Sequence, residues 1–287
     1  EIKKITLPRP GHADLAGVQK FNFDDIRNVI ERSSARETAM RVAIGSICRK
    51  VLEEVGIEVG SRVVQIHDVI DTTKIKSYDS ALSISKKADL SLTRCLNQNI
   101  SNDMVDIINK AKEDGDSVGG MFEVFATGLP YGLGSYTQWY KKLNSKIAEM
   151  IMSINAFKSI EFGTGHNQSL QFGSEVHDEI IMGENSYDRL SNNAGGIEGG
   201  MSNGNPIIIR ATMKPIPTLI KPLKSVDIQT KKERLAHKER TDSCAVPAAS
   251  IISESMLCIV LLDTLLEKFG GDSIDQLKDH IKLSGKY

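Results

Sequence analysis

The chain has 287 residues, 36 Lys and Arg against 37 Asp and Glu, a net charge of −1 and 40% hydrophobic content. That length suits one large domain or two small ones, and the balanced charge gives no global attraction to nucleic acid, so any basic patch is local. No apolar run is read as a membrane span, which needs about 20 residues, and no signal peptide is visible.

Residues 34–55 read as a helix, with Met40, Ile44, Ile47, Cys48, Val51, Leu52 and Val55 at helical spacing. Ser34-Ala35-Arg36-Glu37 fits a capping box, and Gly56 is the expected terminator. Residues 57–68 read as a strand. Residues 71–116 are polar, with a weak helical pattern around 101–112, and read as peripheral helices or an irregular insertion. Residues 118–128 read as a strand rich in branched and aromatic side chains. A second amphipathic helix is expected over 137–156, with Leu143, Ile147, Met150, Ile151 and Ile154 on one face. A short strand follows at 159–162, then a loop-rich stretch over 163–206. Residues 207–213 form a strand that the prolines of KPIPT end. The last clear helix spans 247–269, with Pro247 in its first turn and Gly270-Gly271 stopping it. It is apolar nearly all round, so it should be buried on more than one side. No repeat or low-complexity linker divides the chain, and one domain over 1–287 is expected.

The 4 Cys (48, 95, 244, 258) show no ligand spacing and no disulfide framework, which points to a reducing, cytoplasmic setting. The 6 His (12, 67, 166, 177, 237, 280) contain no HExxH or HxH pair, so no metal site is expected. Several polar clusters interrupt the framework. PRPGHAD (8–14) carries Arg9, His12 and Asp14 in a Pro/Gly turn. His is the natural proton carrier near neutral pH, but it needs a partner to be more than a solvated turn residue. ERSSARET (31–38) sets Arg32, Ser33, Ser34 and Arg36 at a helix start, where free N–H groups and two guanidiniums suit an anion; a plain cap is the alternative. MKPIPTLIKPLKS (213–225) holds Lys214, Lys221 and Lys224 on a proline-stiffened chain. KERTDSCAVPAAS (238–250) puts Arg240, Thr241 and Asp242 just ahead of the long helix. GGIEGGMSNGNP (195–206) has 5 Gly in 12 residues, yet it is neither GxGxxG nor a Walker loop. Glycines there would let backbone come close to a flat or anionic ligand, or would only make a mobile loop. Together these clusters imply an enzyme with a cationic pocket for phosphorylated or carboxylated ligands, without naming a reaction.

In order along the chain, PRPGHAD, RSSARETAMRVAIG, GDSVGG, LPYGLGSY, MSINAFKSIEFG, GSEVHDEI, NNAGGIEGGMSNGNPI, MKPIPTL and RTDSCAVPAAS closing on LLEKFGGDS resemble chorismate synthase. The resemblance implies an α+β fold, a β-α-β sandwich with helices packed between antiparallel sheets. It implies a lyase of the shikimate pathway, converting 5-enolpyruvylshikimate 3-phosphate to chorismate and phosphate by anti 1,4-elimination with reduced FMN. It also implies a homotetramer. NADPH or an external flavin reductase would supply the electrons, and the lack of a nicotinamide motif leans toward the reductase. By position in the motifs, His12 corresponds to the histidine that protonates the reduced flavin and Asp242 to the acidic residue that helps proton removal. Arg32, Ser33, Ser34, Asn155, Ala156, Gly199, Lys214, Pro215, Ile216, Pro217 and Thr218 correspond to FMN contacts. Arg240 corresponds to a residue touching both flavin and substrate, and Arg9 and Arg36 to arginines near the substrate's anionic groups.

The resemblance also carries a difference. Family members begin with a long segment holding an SHG-type motif, and no stretch of this sequence matches it. Glu1 stands where an initiator would be. The expectation is therefore an N-terminally incomplete domain, read either as part of an active synthase or as a non-catalytic fragment that binds FMN or only assembles.

Overall fold

The computed structural model describes residues 3–75, 79–183 and 186–284. The chain opens with α1 (Asp14–Phe21), α2 (Arg27–Arg32), a 3-10 turn (Ala35–Glu37) and α3 (Thr38–Glu54). Then come β1 (Glu58–Ile66), β2 (Val69–Ile70), α4 (Ala81–Ala88), α5 (Gln98–Glu113), β3 (Gly120–Thr127), α6 (Leu143–Met152) and β4 (Phe157–Phe162). A single helical turn, α7 (Gly173–Val176), precedes β5 (Ile180–Met182), β6 (Tyr187–Arg189), β7 (Ile197–Glu198), β8 (Met201–Ser202) and β9 (Ile207–Met213). The chain closes with β10 (Lys224–Val226), β11 (Glu233–Leu235), α8 (Val246–Phe269) and α9 (Ile274–Leu283).

Five strands form one sheet in the order β2-β1-β3-β9-β4, with every pair antiparallel. Alternation along the strands gives the sheet two different faces. Val59 and Val63, Phe122 and Val124, and Ile207, Ile209 and Ala211 are buried in the main core. The opposite face carries a row of charge in register, Arg62 opposite Glu123 and Glu123 opposite Arg210. Glu123 pairs with Arg62 at 2.8 Å and with Arg210 at 2.6 Å, so its buried carboxylate is satisfied from both sides.

Helix α8 packs on β1 and β3 and also against α3 and α6. This is the arrangement its all-round apolarity required: α8 lies between the sheet and α3, in an α+β fold of helices packed on an antiparallel sheet. By length and composition α8 could cross a membrane, with a mean hydropathy of 1.8, which corrects the expectation that no run is apolar enough. Here 67% of its most apolar window is buried inside the fold. Its one deeply buried carboxylate, Glu254, is held by Arg49 at 2.5 Å and Arg94 at 3.2 Å and accepts from Ser61 and Ser85.

Several expectations change at their edges. Ser34 caps the 3-10 turn by accepting from the Arg36 N–H, but Glu37 does not reach back; it pairs with Arg41 one turn on, so no capping box forms. Only the C-terminal half of the apolar stripe of α3 meets the core, through Cys48, Val51, Leu52 and Val55. Met40, Ile44 and Ile47 are exposed, whereas Thr38, Gly45 and Leu52 are buried. Gly45 decides this, because a Cβ there would stand 2.6 Å from the Ser255 backbone, and only a glycine lets α3 and α8 come so close. Residues 71–116 are not peripheral. α4 is capped by Ser80 and buries Ala81, Ile84 and Ala88, and α5 is capped by Asn97 and buries Met104. The second amphipathic helix begins only at Leu143, after a 3-10 turn at Trp139–Lys141. The loop-rich stretch holds two small hairpins, β5–β6 and β7–β8.

Candidate active site

Four of the five polar clusters singled out in the sequence are stitched together at one end of the sheet. Strand β9 ends at Met213, and the proline segment that follows carries Lys214 to Thr218 across the neighbouring loops. The Lys214 N–H donates to the Ala156 carbonyl at 3.0 Å, and its ammonium donates to the Gly11 carbonyl. The Asn155 side chain donates to the Ser33 carbonyl at 3.0 Å, which ties the 31–38 stretch to the start of β4. Ser117 donates to the Ile216 carbonyl at 2.7 Å, and a Cβ on Gly119 would stand 2.3 Å from the Met213 carbonyl. The GDSVGG loop therefore buttresses the proline segment from behind. Its Val118 N–H donates to Ser243 at 2.8 Å, bringing in the RTDS stretch.

The turn at 8–14 is organised by Asp14, which is fully buried. His12 Nδ1 lies 2.5 Å from its Oδ1 and Arg9 Nε 2.8 Å from its Oδ2. Burial alone would raise the Asp14 carboxyl, but the hydrogen bonds from His12 and Arg9 outweigh it and hold the group well below the usual carboxylate range. Arg9 is itself buried and donates onward to Thr218 at 2.9 Å and Glu239 at 3.2 Å. Its charge is thus committed within the chain, and it braces the turn against the proline segment. Nδ1 of His12 is held by Asp14, and Nη2 of Arg9 stands at the ring, 3.3 Å from Nδ1 and 3.4 Å from Nε2. Asp14 and Glu239 are the residues that sequence reasoning passed over as site residues. An Asp two residues after a His in a turn was the available signal for the first.

The cations are arranged differently from Arg9. Arg32, Arg36 and Arg240 are exposed and have no carboxylate partner among the described residues. Lys214 is half-buried, and its ammonium pKa is lowered by burial and by the nearby Lys158. Lys158 was not anticipated. It occupies a bulge between Phe157 and Ser159 at the start of β4, directly after Ala156, whose φ is +70°. A left-handed alanine costs on the order of 1–3 kcal/mol, and such strain gathers at functional sites. Asp242 and Arg240 are both exposed, and the Asp242 carbonyl accepts from Thr241 at 3.1 Å.

Gly199 is not brought to this group. Strand β9 is 7 residues long, and at about 3.3 Å per residue it sets the glycine-rich loop and the proline segment about 20 Å apart at its two ends. Gly199 and Gly200, with φ of +57° and +86°, are the two-residue turn of the β7–β8 hairpin, where positive φ at both positions matches strand twist.

A half-buried histidine is held by a buried carboxylate and a buried guanidinium, on a turn to which the ammonium of Lys214 also donates. A family model described as chorismate synthase matches residues 1–266. The chain belongs to the chorismate synthase family. It is 52% identical over 279 residues to the chorismate synthase of Alkaliphilus metalliredigens (strain QYMF), covering 97% of this chain and 72% of that one. It is also 52% identical to that of Aquifex aeolicus (strain VF5), covering 96% and 71%. A solved structure described as "Crystal Structure of Chorismate Synthase" superposes with a TM-score of 0.81 at 43% identity, covering 94% of this chain and 75% of that one.

Proposed function

We propose that this chain makes chorismate, as a lyase that removes phosphate and the C6 hydrogen from 5-enolpyruvylshikimate 3-phosphate by anti 1,4-elimination. Family membership and the convergence of the His12 turn with the proline segment and Asn155 support this reading. A phosphate bond and a C–H bond break while one double bond shifts and another forms, so the reaction has no net redox change. The protein's task is to hold a polyanion, stabilise a departing phosphate and handle protons.

The donor set fits a flavin mononucleotide. Arg32, Lys214 and Arg240 offer positive charge to its phosphate and its electron-rich ring. Ser33, Ser34, Asn155, Ala156 and the stretch from Pro215 to Thr218 offer backbone and short polar groups; Gly199, on the far hairpin, lies outside this set. When bound, reduced FMN supplies electron density for phosphate departure. Arg36 and Arg9 are proposed to lie near the substrate's anionic groups, Arg9 from its buried place beside Asp14. His12, oriented by Asp14 and by the Arg9 guanidinium at its ring, is proposed to hold or release a proton. Asp242 is proposed as the acidic group that helps remove the proton. A cytoplasmic homotetramer served by an external flavin reductase completes the proposal.

The test is release of chorismate and phosphate from 5-enolpyruvylshikimate 3-phosphate under anaerobic conditions, with dithionite-reduced FMN. Turnover that requires the reduced flavin and falls in His12→Ala and Asp242→Ala supports the assignment. Turnover unchanged in both variants would remove these two residues from the chemistry.

A further inference from the structure

Behind the His12 turn is a second concavity that the cationic face does not use. It has a volume of about 340 Å³ and lies between the turn at 8–14 and the β10–β11 hairpin. Pro8, Pro10, Leu15, Val226 and Ile228 form its walls. Leu15 is 47% exposed and Val226 45% exposed, so apolar surface is left facing water around an open cavity. The volume falls within the usual range of small-molecule sites, roughly 300–1,000 Å³.

The charges around it are unequal. Lys224 and Lys231 stand on the lining, and neither ammonium has a carboxylate partner among the described residues. Asp227 also lines the cavity, but its oxygens are occupied. They accept from Thr6 at 2.9 Å and from the Gln229 and Thr230 N–H groups at 2.9 Å each. Those bonds fix the hairpin turn, and Lys231 is held in it at φ +60° with its N–H on the Asp227 carbonyl. Arg9 contributes a wall while its guanidinium points to Asp14, Thr218 and Glu239. The balance is two free positive charges above apolar walls and one negative charge already satisfied by donors.

We propose that this cavity binds a small apolar carboxylate, a single ring bearing an acidic side chain, with the ring against Pro8, Pro10 and Val226 and the carboxylate at Lys224 and Lys231. Because Arg9 both walls the cavity and holds Asp14, an occupant rests against the turn that positions His12. The cavity shares Arg9 with the His12 turn but is lined by none of Arg32, Arg36, Lys214 and Arg240, and its test needs neither substrate nor flavin, so it stands or falls independently of the proposed reaction.

The probe is 3-phenylpropionate, titrated into ¹⁵N-labelled protein and followed by amide shifts, with neutral 3-phenylpropionamide as its counterpart. Saturable shifts at Leu15, Val226 and Ile228 are expected, with the amide at least about 10-fold weaker. Lys224→Ala/Lys231→Ala should weaken the acid about 10-fold and leave the amide unchanged. Val226→Trp, which fills the cavity, should abolish binding of both; if that variant does not fold, the exposed lysine pair carries the test. Equal affinity for acid and amide, shifts confined to residues 32–36 and 240, or no saturable shift would each overturn the proposal.

Discussion

His12 Nδ1 and Asp14 Oδ1 lie 2.5 Å apart, with the carboxylate wholly buried and also gripped by Arg9. The carboxylate therefore carries two tasks, orienting the histidine and neutralising a buried guanidinium. Asp14→Asn keeps the shape but leaves Arg9 with Glu239 as its remaining acidic partner. Unfolding in urea should show a loss of about 2–3 kcal/mol, below the full cost of an unpaired buried charge because Glu239 and Thr218 remain. Turnover should also fall, with kcat affected more than KM. An unchanged urea midpoint would contradict the role given to this carboxylate.

The same residue predicts an acid dependence. Its pKa is depressed on folding: burial opposes the shift, and hydrogen bonds from His12 and Arg9 outweigh that opposition. A depressed carboxyl contributes stability above its unfolded pKa of about 3.9, and the contribution is lost as pH falls below that toward the folded value. Between about pH 5 and pH 3 the urea midpoint of the wild type should fall more steeply than that of Asp14→Asn. Parallel profiles would assign the acid sensitivity elsewhere.

Lys214 predicts an alkaline dependence of flavin binding. Burial and Lys158 lower its pKa, so in the free protein it loses its proton below the ordinary lysine value of about 10.4. FMN affinity, followed by quenching of flavin fluorescence, should begin to fall at a lower pH than ordinary lysines would give. Lys214→Met should weaken binding about 10-fold, the worth of one charge-assisted hydrogen bond, and flatten that limb.

Gly45 sits where α3 crosses α8. In a free helix Gly→Ala gains about 1 kcal/mol. Here the added Cβ would stand 2.6 Å from the Ser255 backbone, so two buried helices must separate. Overpacking of that kind costs about 1–3 kcal/mol, so the net change should be destabilising by up to about 2 kcal/mol. A more stable Gly45→Ala variant in thermal unfolding would show that the crossing is looser than described.

Glu254→Ala would leave Arg49 and Arg94 without their shared carboxylate in the core. A loss of about 3 kcal/mol is expected, toward the lower end for a broken buried pair because Arg49 keeps some contact with water. Glu254→Gln should recover part of it through Ser61 and Ser85, a difference that chemical denaturation would resolve.

The motifs were legible in sequence because each is local. PRPGHAD makes its own turn, KPIPT stiffens its own backbone, and the strands 57–68, 118–128 and 207–213 declare themselves by branched and aromatic content. The all-round apolarity of α8 also announced a helix buried on several sides. Met40, Ile44 and Ile47 misled, since their spacing is helical but the buried side of α3 was chosen by Gly45, whose missing side chain has no hydrophobic signal. α5 was faint for a related reason, since its exposed residues outnumber the three it buries, and α4 because two of the residues it buries are alanines and one is a serine.

The sequence by itself determined the chemical types available: a proton-carrying histidine, a set of arginines and lysines, a stiff proline segment and a glycine-rich loop. Only the tertiary structure decided which of them act together. Arg9 and Arg36 look alike in sequence, yet one is buried against Asp14 and the other is exposed without a carboxylate partner among the described residues. The glycine-rich hairpin and the proline segment are near in sequence, yet the extended strand β9 holds them about 20 Å apart. Charge and backbone freedom are properties of single residues, whereas pairing, burial and distance depend on where the chain returns to itself.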